Sequence, residues 1–400
     1  MSVNTGVTNQ AYAIINELQA EAKGVSAITA VDTGSFVSAG QNMINLGYDE
    51  VLGCISKLIT KTIFSVRPYD EKFKGVEMGN DAFGFATRKL SVADSSFEAG
   101  NFDLPVDGQS VDHYKIKRAN ILEQVFVGSN NFQYQSPTQF KNQIDNAFRN
   151  PEELVRFWGM ILQNTYDNIT QAKENLKRGL ISNLIGAKIY SNANGIEAGT
   201  HIKLVTEFNT YTGQTLTLAD IRKDPALNKQ FWEFAYAKVR TTSKLMEERS
   251  QNYHTNVTGK EISRHTPKAD QRLYMLAPEV YNMDATVLAD TFNKDLIKFA
   301  DFEEVAFWQS INAPASVEIA PVVLKKDGTL KQCNVETEVQ SNDNVFAVLM
   351  DKEVMGTTTL YEYAAFTPLN AKALYTNLFF NANLKYFTDF TENAVIFTLD

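Results

Sequence analysis

Asn150-Pro151-Glu152-Glu153 opens the longest regular pattern in this 400-residue chain. An asparagine cap accepts from a free backbone N–H, and proline at the first helical position gives up only an N–H that would have had no partner. The two acids face the positive end of the helix dipole. Apolar residues then recur at Leu154, Phe157, Trp158, Ile161, Ile169, Leu176, Leu180 and Leu184, and the pattern ends near Gly186. This spacing predicts one helix over 151–186, about 35 residues and roughly 50 Å long. Helices of globular proteins usually run about 10–14 residues. A rod this long predicts an elongated molecule with its other elements hung along it.

The rest of the chain mixes both kinds of element. Asp224-Pro225 starts a second helix running to about Ser250, with Phe231, Trp232, Ala235, Val239 and Leu245 inward. Arg272–Leu276 reads as a strand, and Pro278 then opens a helix containing Val280, Tyr281, Met283, Val287 and Phe292. Val317–Leu324 and Leu330–Val335 flank Asp327-Gly328, a favoured hairpin turn. Val345–Met350 and Thr358–Phe366 are further strands, Ala371–Phe387 reads as helical, and Ala394–Leu399 as a final strand. The class is α+β with mixed sheets. The length suggests two to four lobes of about 100–200 residues.

Residues 1–65 read as an arm carrying helices. Thr8 or Asn9 caps a short helix with Tyr12, Ile15 and Leu18 on one face, the stretch Gly24 to Gly40 has no helical period, and Asp49 opens a helix through Leu52, Ile55 and Ile63. Two amphipathic pieces need a surface from elsewhere to pack on. Residues 66–128 read as a long hairpin with arms near Ala82–Val92 and Val111–Val127. Its tip, rich in Gly, Asp and Ser, carries Phe97, Phe102, Leu104 and Val106. Two strands alone are marginal in water, so an apolar tip fits either its own domain or a neighbouring subunit. Tyr12, Ile15, Leu18, Phe97, Phe102, Leu104 and Val106 are the candidate interface residues.

The composition narrows function by exclusion. The net charge of −9 (38 basic against 47 acidic residues) and the lack of a like-charge run argue against tight nucleic-acid binding, while leaving open a wall that merely surrounds DNA. Two distant cysteines, Cys54 and Cys333, read as buried thiols. The first twenty residues do not read as a signal peptide, and no apolar run of 18 residues suggests a membrane span. His113, His201, His254 and His265 lack companions at metal-ligand spacing. The pairs Glu152-Glu153, Glu247-Glu248 and Glu303-Glu304 read as solvated helix faces. No local motif asks for catalysis, a cofactor or a metal.

The order arm, long hairpin, long helix, then strand-helix-strand lobe with a C-terminal return resembles the major capsid proteins of tailed bacteriophages, whose fold encapsulins and the floor of herpesvirus shells share. Val345–Asp351 followed by Val354-Met355-Gly356 is similar to the family's strand leaving its axial lobe. Thr376–Phe380, then Phe390–Leu399, is similar to its closing helix and final strand. Shell proteins of small, short-tailed phages of Gram-positive hosts are the most similar subfamily.

The resemblance implies an N-terminal arm (1–65), an extended loop (66–128), a spine helix (151–186), a peripheral domain (129–262 and 357–400) and an axial domain (263–356). It implies assembly with itself in pentamers and hexamers, in the host cytoplasm, into an icosahedral capsid of the virion. Expected partners are a separate scaffolding protein, a portal protein, and double-stranded DNA enclosed without sequence-specific binding. No membrane, catalytic residue, cofactor or metal is expected. The covalent Lys–Asn cross-link of some relatives has no matching motif here. The alternatives are an encapsulin-like compartment shell, a two-lobed soluble enzyme with a dispersed active site, and a tail or neck component.

Overall fold

The computed structural model describes residues 5–22, 28–45, 54, 72–77, 87–94, 118–135, 138–143, 151–288 and 302–400. Two N-terminal helices, α1 (Thr5–Glu21) and α2 (Thr33–Asn45), precede the hairpin strands β1 (Thr87–Val92) and β2 (Ile121–Phe126). The strands β3 (Ser129–Gln135) and β4 (Gln139–Phe140) follow. The long helix α3 spans Pro151–Ala193, 43 residues and so about 65 Å.

It does not stop at Gly186. A Cβ there would lie 2.5 Å from Ile319 Cγ2, so this glycine lets a neighbouring strand approach a continuing helix. The true stop is at Gly195, with φ +65°. There the Ile196 N–H donates to Ser191 O (2.8 Å) and the Gly195 N–H to Asn192 O (3.3 Å), the two bonds of a Schellman cap.

α2 is a correction, because the Gly24–Gly40 stretch showed no helical period. Its cap is local: the Ser35 N–H donates to Asp32 Oδ1 (2.7 Å), while the Ser35 hydroxyl receives from the N–H groups of Val31 and Asp32 (both 3.0 Å). Phe36, Ala39 and Met43 form the buried stripe, obscured in sequence by small residues that hide the periodicity. The helix expected from Asp49 lies outside the described residues, apart from Cys54, which is buried.

Five strands form the main sheet in the order β5 (His201–Lys203), β16 (Ala394–Thr398), β12 (Val345–Asp351), β6 (Gln271–Leu276) and β7 (Phe302–Val305). β12 is antiparallel to both neighbours, whereas β5 and β7 run parallel to theirs. Every residue of β12 and β16 is buried, as a sheet covered on both faces requires. Val348, Met350 and Ile396 pack with Leu184 and Ile185 of α3. Phe346, Leu349, Val395 and Phe397 pack on the other face against α4 (Leu204–Thr212) and α6 (Pro225–Glu247). α5 (Leu218–Lys223) and α7 (Ala277–Leu288) complete that layer.

Asp224 caps α6 through its carboxylate on the Ala226 and Leu227 N–H groups (2.9 and 3.4 Å). Phe231, Trp232, Ala235 and Val239 face inward, but Leu245 is exposed and Met246 takes its place, since 239, 242 and 246 share one helical face. Tyr281 is likewise exposed and donates to Glu304 (2.9 Å), while Val280 and Met283 are buried. The boundaries drawn at 262/263 and 356/357 cut through this layer, because strands from both sides of each boundary pair in the one sheet.

A second sheet lies along α3 in the order β13 (Met355–Phe366), β15 (Leu378–Thr388), β3. β15 overturns the helix expected over Ala371–Phe387. Leu378, Phe380, Ala382 and Leu384 are its buried apolar residues, a period of two, and β13 pairs with it from Met355 opposite Thr388 to Phe366 opposite Leu378, with one register shift between Thr359 and Tyr361. The Asn168 amide donates to Tyr134 Oη (3.0 Å), tying α3 to β3. β14 (Tyr375–Thr376) pairs with β4.

Val317–Leu324 is two strands, β8 (Val317–Ile319) and β9 (Val322–Leu324), parted at Ala320-Pro321 because proline cannot donate to a ladder. β9 pairs with β10 (Leu330–Gln332) through the expected Asp327-Gly328 turn, where Gly328 has φ +83°. β8 pairs with β11 (Gln340–Asn342).

His201 and His254 are structural. His254 is buried, with Nε2 2.8 Å from Ile262 O and Nδ1 2.8 Å from Asn252 O. Burial drives His201 down to about 4, with Asp400 acting the other way. Because its folded value lies below the unfolded one, the unfolded chain binds the extra proton, and stability is lost as pH falls from about 6.5 to 4. Urea titrations at pH 7 and pH 4 should show His201→Gln losing on the order of 1–2 kcal/mol less than the parent across that interval. Equal losses would exclude His201 as the cause.

Candidate assembly surface

The register of β1 and β2 sorts their side chains onto two faces. Ser91 lies opposite Leu122 and Lys89 opposite Gln124, and these four turn toward the body. Leu90, Val92, Ile121 and Val125 turn away and are 57%, 62%, 47% and 53% exposed. Arg88 and Glu123 pair at 2.6 Å across this outer face. The outcome is an apolar ribbon with one ion pair, uncovered by the chain's own described residues.

The inner face is bolted down by charge. Lys89 Nζ lies 2.8 Å from Asp389 Oδ2 and 2.5 Å from Glu392 Oε1. The Gln124 amide donates to Asp389 Oδ1 (3.0 Å). Arg264 donates to the Ser91 hydroxyl (3.1 Å) and the Thr391 carbonyl (3.2 Å), and pairs with Glu392 at 3.0 Å. The Phe126 and Phe387 rings stand 5.2 Å apart beside this cluster.

Burial by itself would raise the Asp389 carboxyl, yet the charge of Lys89 and hydrogen bonds from Lys89 and Thr391 hold it below the usual carboxylate range. For Glu392 burial wins, and its carboxyl stays raised despite Lys89 and Arg264. Both carboxylates are spent on cations and donors, so the cluster holds the hairpin root to the turn at 389–393.

Phe97, Phe102, Leu104 and Val106 lie outside the described residues. Ile15 and Leu18 are fully buried inside their own chain, which removes them as exposed contact residues in this conformation. They close a small core in which the Asn16 carboxamide oxygen accepts from the Ala30 N–H (2.8 Å) and the Gln19 carboxamide oxygen from the Ile28 N–H (3.0 Å). Tyr12 is half-buried with its ring 6.1 Å from that of Phe36. Sequence reading missed the outer ribbon, although the alternations Leu90-x-Val92 and Ile121-x-Glu123-x-Val125 carried it. Asp389, Glu392 and Arg264 had no signal, since their partners on the hairpin are more than a hundred residues away in sequence.

Among the described residues, no three His, Cys, Asp or Glu side chains converge as metal ligands, and no helix is long and apolar enough to cross a membrane.

Two solved structures share this arrangement. A chain in the capsid structure of Staphylococcus phage Andhra aligns with TM-score 0.51 and 10% identity, over 82% of this chain and 84% of that one. A chain in the structure of the head fiber and inner core protein gp22 of native bacteriophage P68 gives TM-score 0.52 and 11% identity, over 83% and 85%. The fold is that of tailed-phage capsid proteins. No curated protein matches the sequence. The family of Phi29-like phage major capsid proteins matches residues 12–398, and the chain belongs to that family: it is a structural subunit of a phage shell.

Proposed function

We propose that this chain associates with copies of itself, as pentamers and hexamers, into a closed icosahedral shell around double-stranded DNA. The observation that carries this reading is the outer ribbon of Leu90, Val92, Ile121 and Val125, an apolar face that the chain's own described residues leave open. Exposed contiguous apolar surface marks an interaction site, and in a shell subunit its natural cover is a second copy. Family membership over nearly the whole chain supports the same reading.

In this reading a separate scaffolding protein guides curvature, a portal protein joins the shell, and assembly takes place in the host cytoplasm. The phage is short-tailed, and the chain catalyses no reaction. The net charge of −9 supports enclosure of DNA without a grip on its phosphates. The five-stranded sheet with α4 to α7 forms the axial lobe, and α3 with the β13–β15–β3 sheet the peripheral one. This division follows the layers in place of the boundaries at 263 and 356.

Negative-stain electron microscopy with light scattering, on the protein alone and beside a candidate scaffolding partner, tests this. Closed shells, or rings that become shells with the partner, are expected. A uniform species of 44.8 kDa under every condition would overturn it.

A further inference from the structure

Phe73 combines two features that oppose each other. Its backbone is left-handed, with φ +58°, and its side chain is fully buried. A residue with a β-carbon resists that conformation, which persists only where the surroundings over-determine it. Here they come from two layers. The ring lies 5.5 Å from that of Tyr274 on β6 and 5.2 Å from the Arg178 guanidinium on α3, and the Phe73 N–H donates to the Glu303 carboxylate on β7.

The next residues extend the same grip. The Val76 N–H donates to Phe73 O (3.1 Å), closing a 3-10 turn over Lys74–Val76, and Val76 is buried. Gly75 sits so close that a Cβ would stand 2.8 Å from Tyr274 Oη and 3.1 Å from Arg272 Cδ. Glu77 bridges to Thr357 on β13, and its carboxylate lies 3.7 Å from Lys177 of α3. The buried Tyr274 hydroxyl has no hydrogen-bond partner among the described residues, so the closed arrangement leaves a polar group unserved. This six-residue segment therefore touches the spine and both sheets through Phe73, Gly75 and Glu77, ahead of the hairpin, whose first strand begins at Thr87.

We propose that residues 72–77 form a two-state latch. Closed, it seats the approach to the hairpin on α3 and on both sheets; open, it frees that approach while the sheets stay folded, so that one sequence can aim its hairpin differently at non-equivalent shell positions. Strain at Phe73 keeps the two states close in free energy. The last part rests on the shell reading; the latch itself does not.

Hydrogen exchange on the purified full chain tests it, with the Val76 amide as reporter and the Val348 amide at the centre of β12 as reference. Val76 should open at least about tenfold more often than Val348, through an opening that leaves β12 intact. Equal protection of the two would overturn the latch. Phe73→Gly and Phe73→Ala both delete the ring and differ in tolerance of the left-handed backbone. Val76 should exchange about fivefold more slowly in Phe73→Gly than in Phe73→Ala. Equal or reversed rates would show that no strain is stored. If neither variant folds, the wild-type comparison still decides.

In assembled shells, Val76 should show two exchange populations. A single one would overturn the role in non-equivalent positions, whereas absence of any shell would count against the shell reading and leave the latch to the free-chain result.

Discussion

Replacing Lys188 by methionine is expected to destabilise the subunit by about 3–5 kcal/mol, a large share of the 5–15 kcal/mol typical of a folded domain. The Lys188 ammonium and the Glu197 carboxylate lie 2.9 Å apart and are 0% and 1% exposed. Methionine fills the space of the lysine stem, so the loss reports on charge more than on packing. It leaves the Glu197 carboxylate with the Thr255 hydroxyl as a donor, and its Oε2 atom has no hydrogen-bond partner among the described residues. A buried pair is costly chiefly when half of it is removed, so the double variant Lys188→Met, Glu197→Met should recover most of the loss. Denaturant titration of unassembled wild type, single and double variants makes the comparison. A single-variant loss under about 1 kcal/mol, the range of solvated pairs, would sink the assignment.

The position of this pair ties it to the assembly surface. Lys188 lies near the end of α3, with its ammonium 3.5 Å from the Phe390 carbonyl. The Thr255 N–H donates to that same carbonyl (2.9 Å). Phe390 sits between Asp389 and Glu392, the two carboxylates that hold the hairpin through Lys89. The buried pair is therefore the floor on which the hairpin anchor stands, and weakening it should loosen β1 and β2 before the five-stranded sheet.

Elements whose cause is local could be read directly from sequence. The Pro151 start, the Asp224 cap and the Asp327-Gly328 turn rest on residues within a few positions of one another, and the structure has all three. Elements decided by distant partners could not. Ala371–Phe387 has enough apolar residues to suit either period, and pairing of Leu378–Thr388 with β13 chose the strand. Gly186 reads as a stop until Ile319, far along the chain, is seen pressing against it. The assembly surface divided in the same way. The hairpin strands were legible from their mix of β-branched, apolar and charged residues, whereas the cluster of Lys89, Arg264, Asp389 and Glu392 exists only once the chain has folded. Ile15 and Leu18 looked unpartnered because α1 packs on α2, which lay in a stretch with no evident period, and on the distant α3.

The outer ribbon gives the other large expected effect. Glutamate at both Leu90 and Val125 should leave the subunit folded, since these side chains already face water, while closed shells fall by at least about a hundredfold. Covering the exposed half of one such side chain with a neighbour's surface contributes roughly 1–1.5 kcal/mol. A carboxylate in its place turns that gain into a desolvation cost of several kcal/mol. The penalty recurs at every contact, so a modest loss per subunit becomes near-total for a closed assembly. Thr87→Ser, on the inner face of the same strand, is the control expected to assemble normally. Circular dichroism confirms the fold, and sedimentation with electron microscopy counts the shells. Shells at wild-type yield from the double glutamate variant would show that the ribbon faces solvent in the capsid, and the contact that closes the shell would then have to lie elsewhere on the subunit.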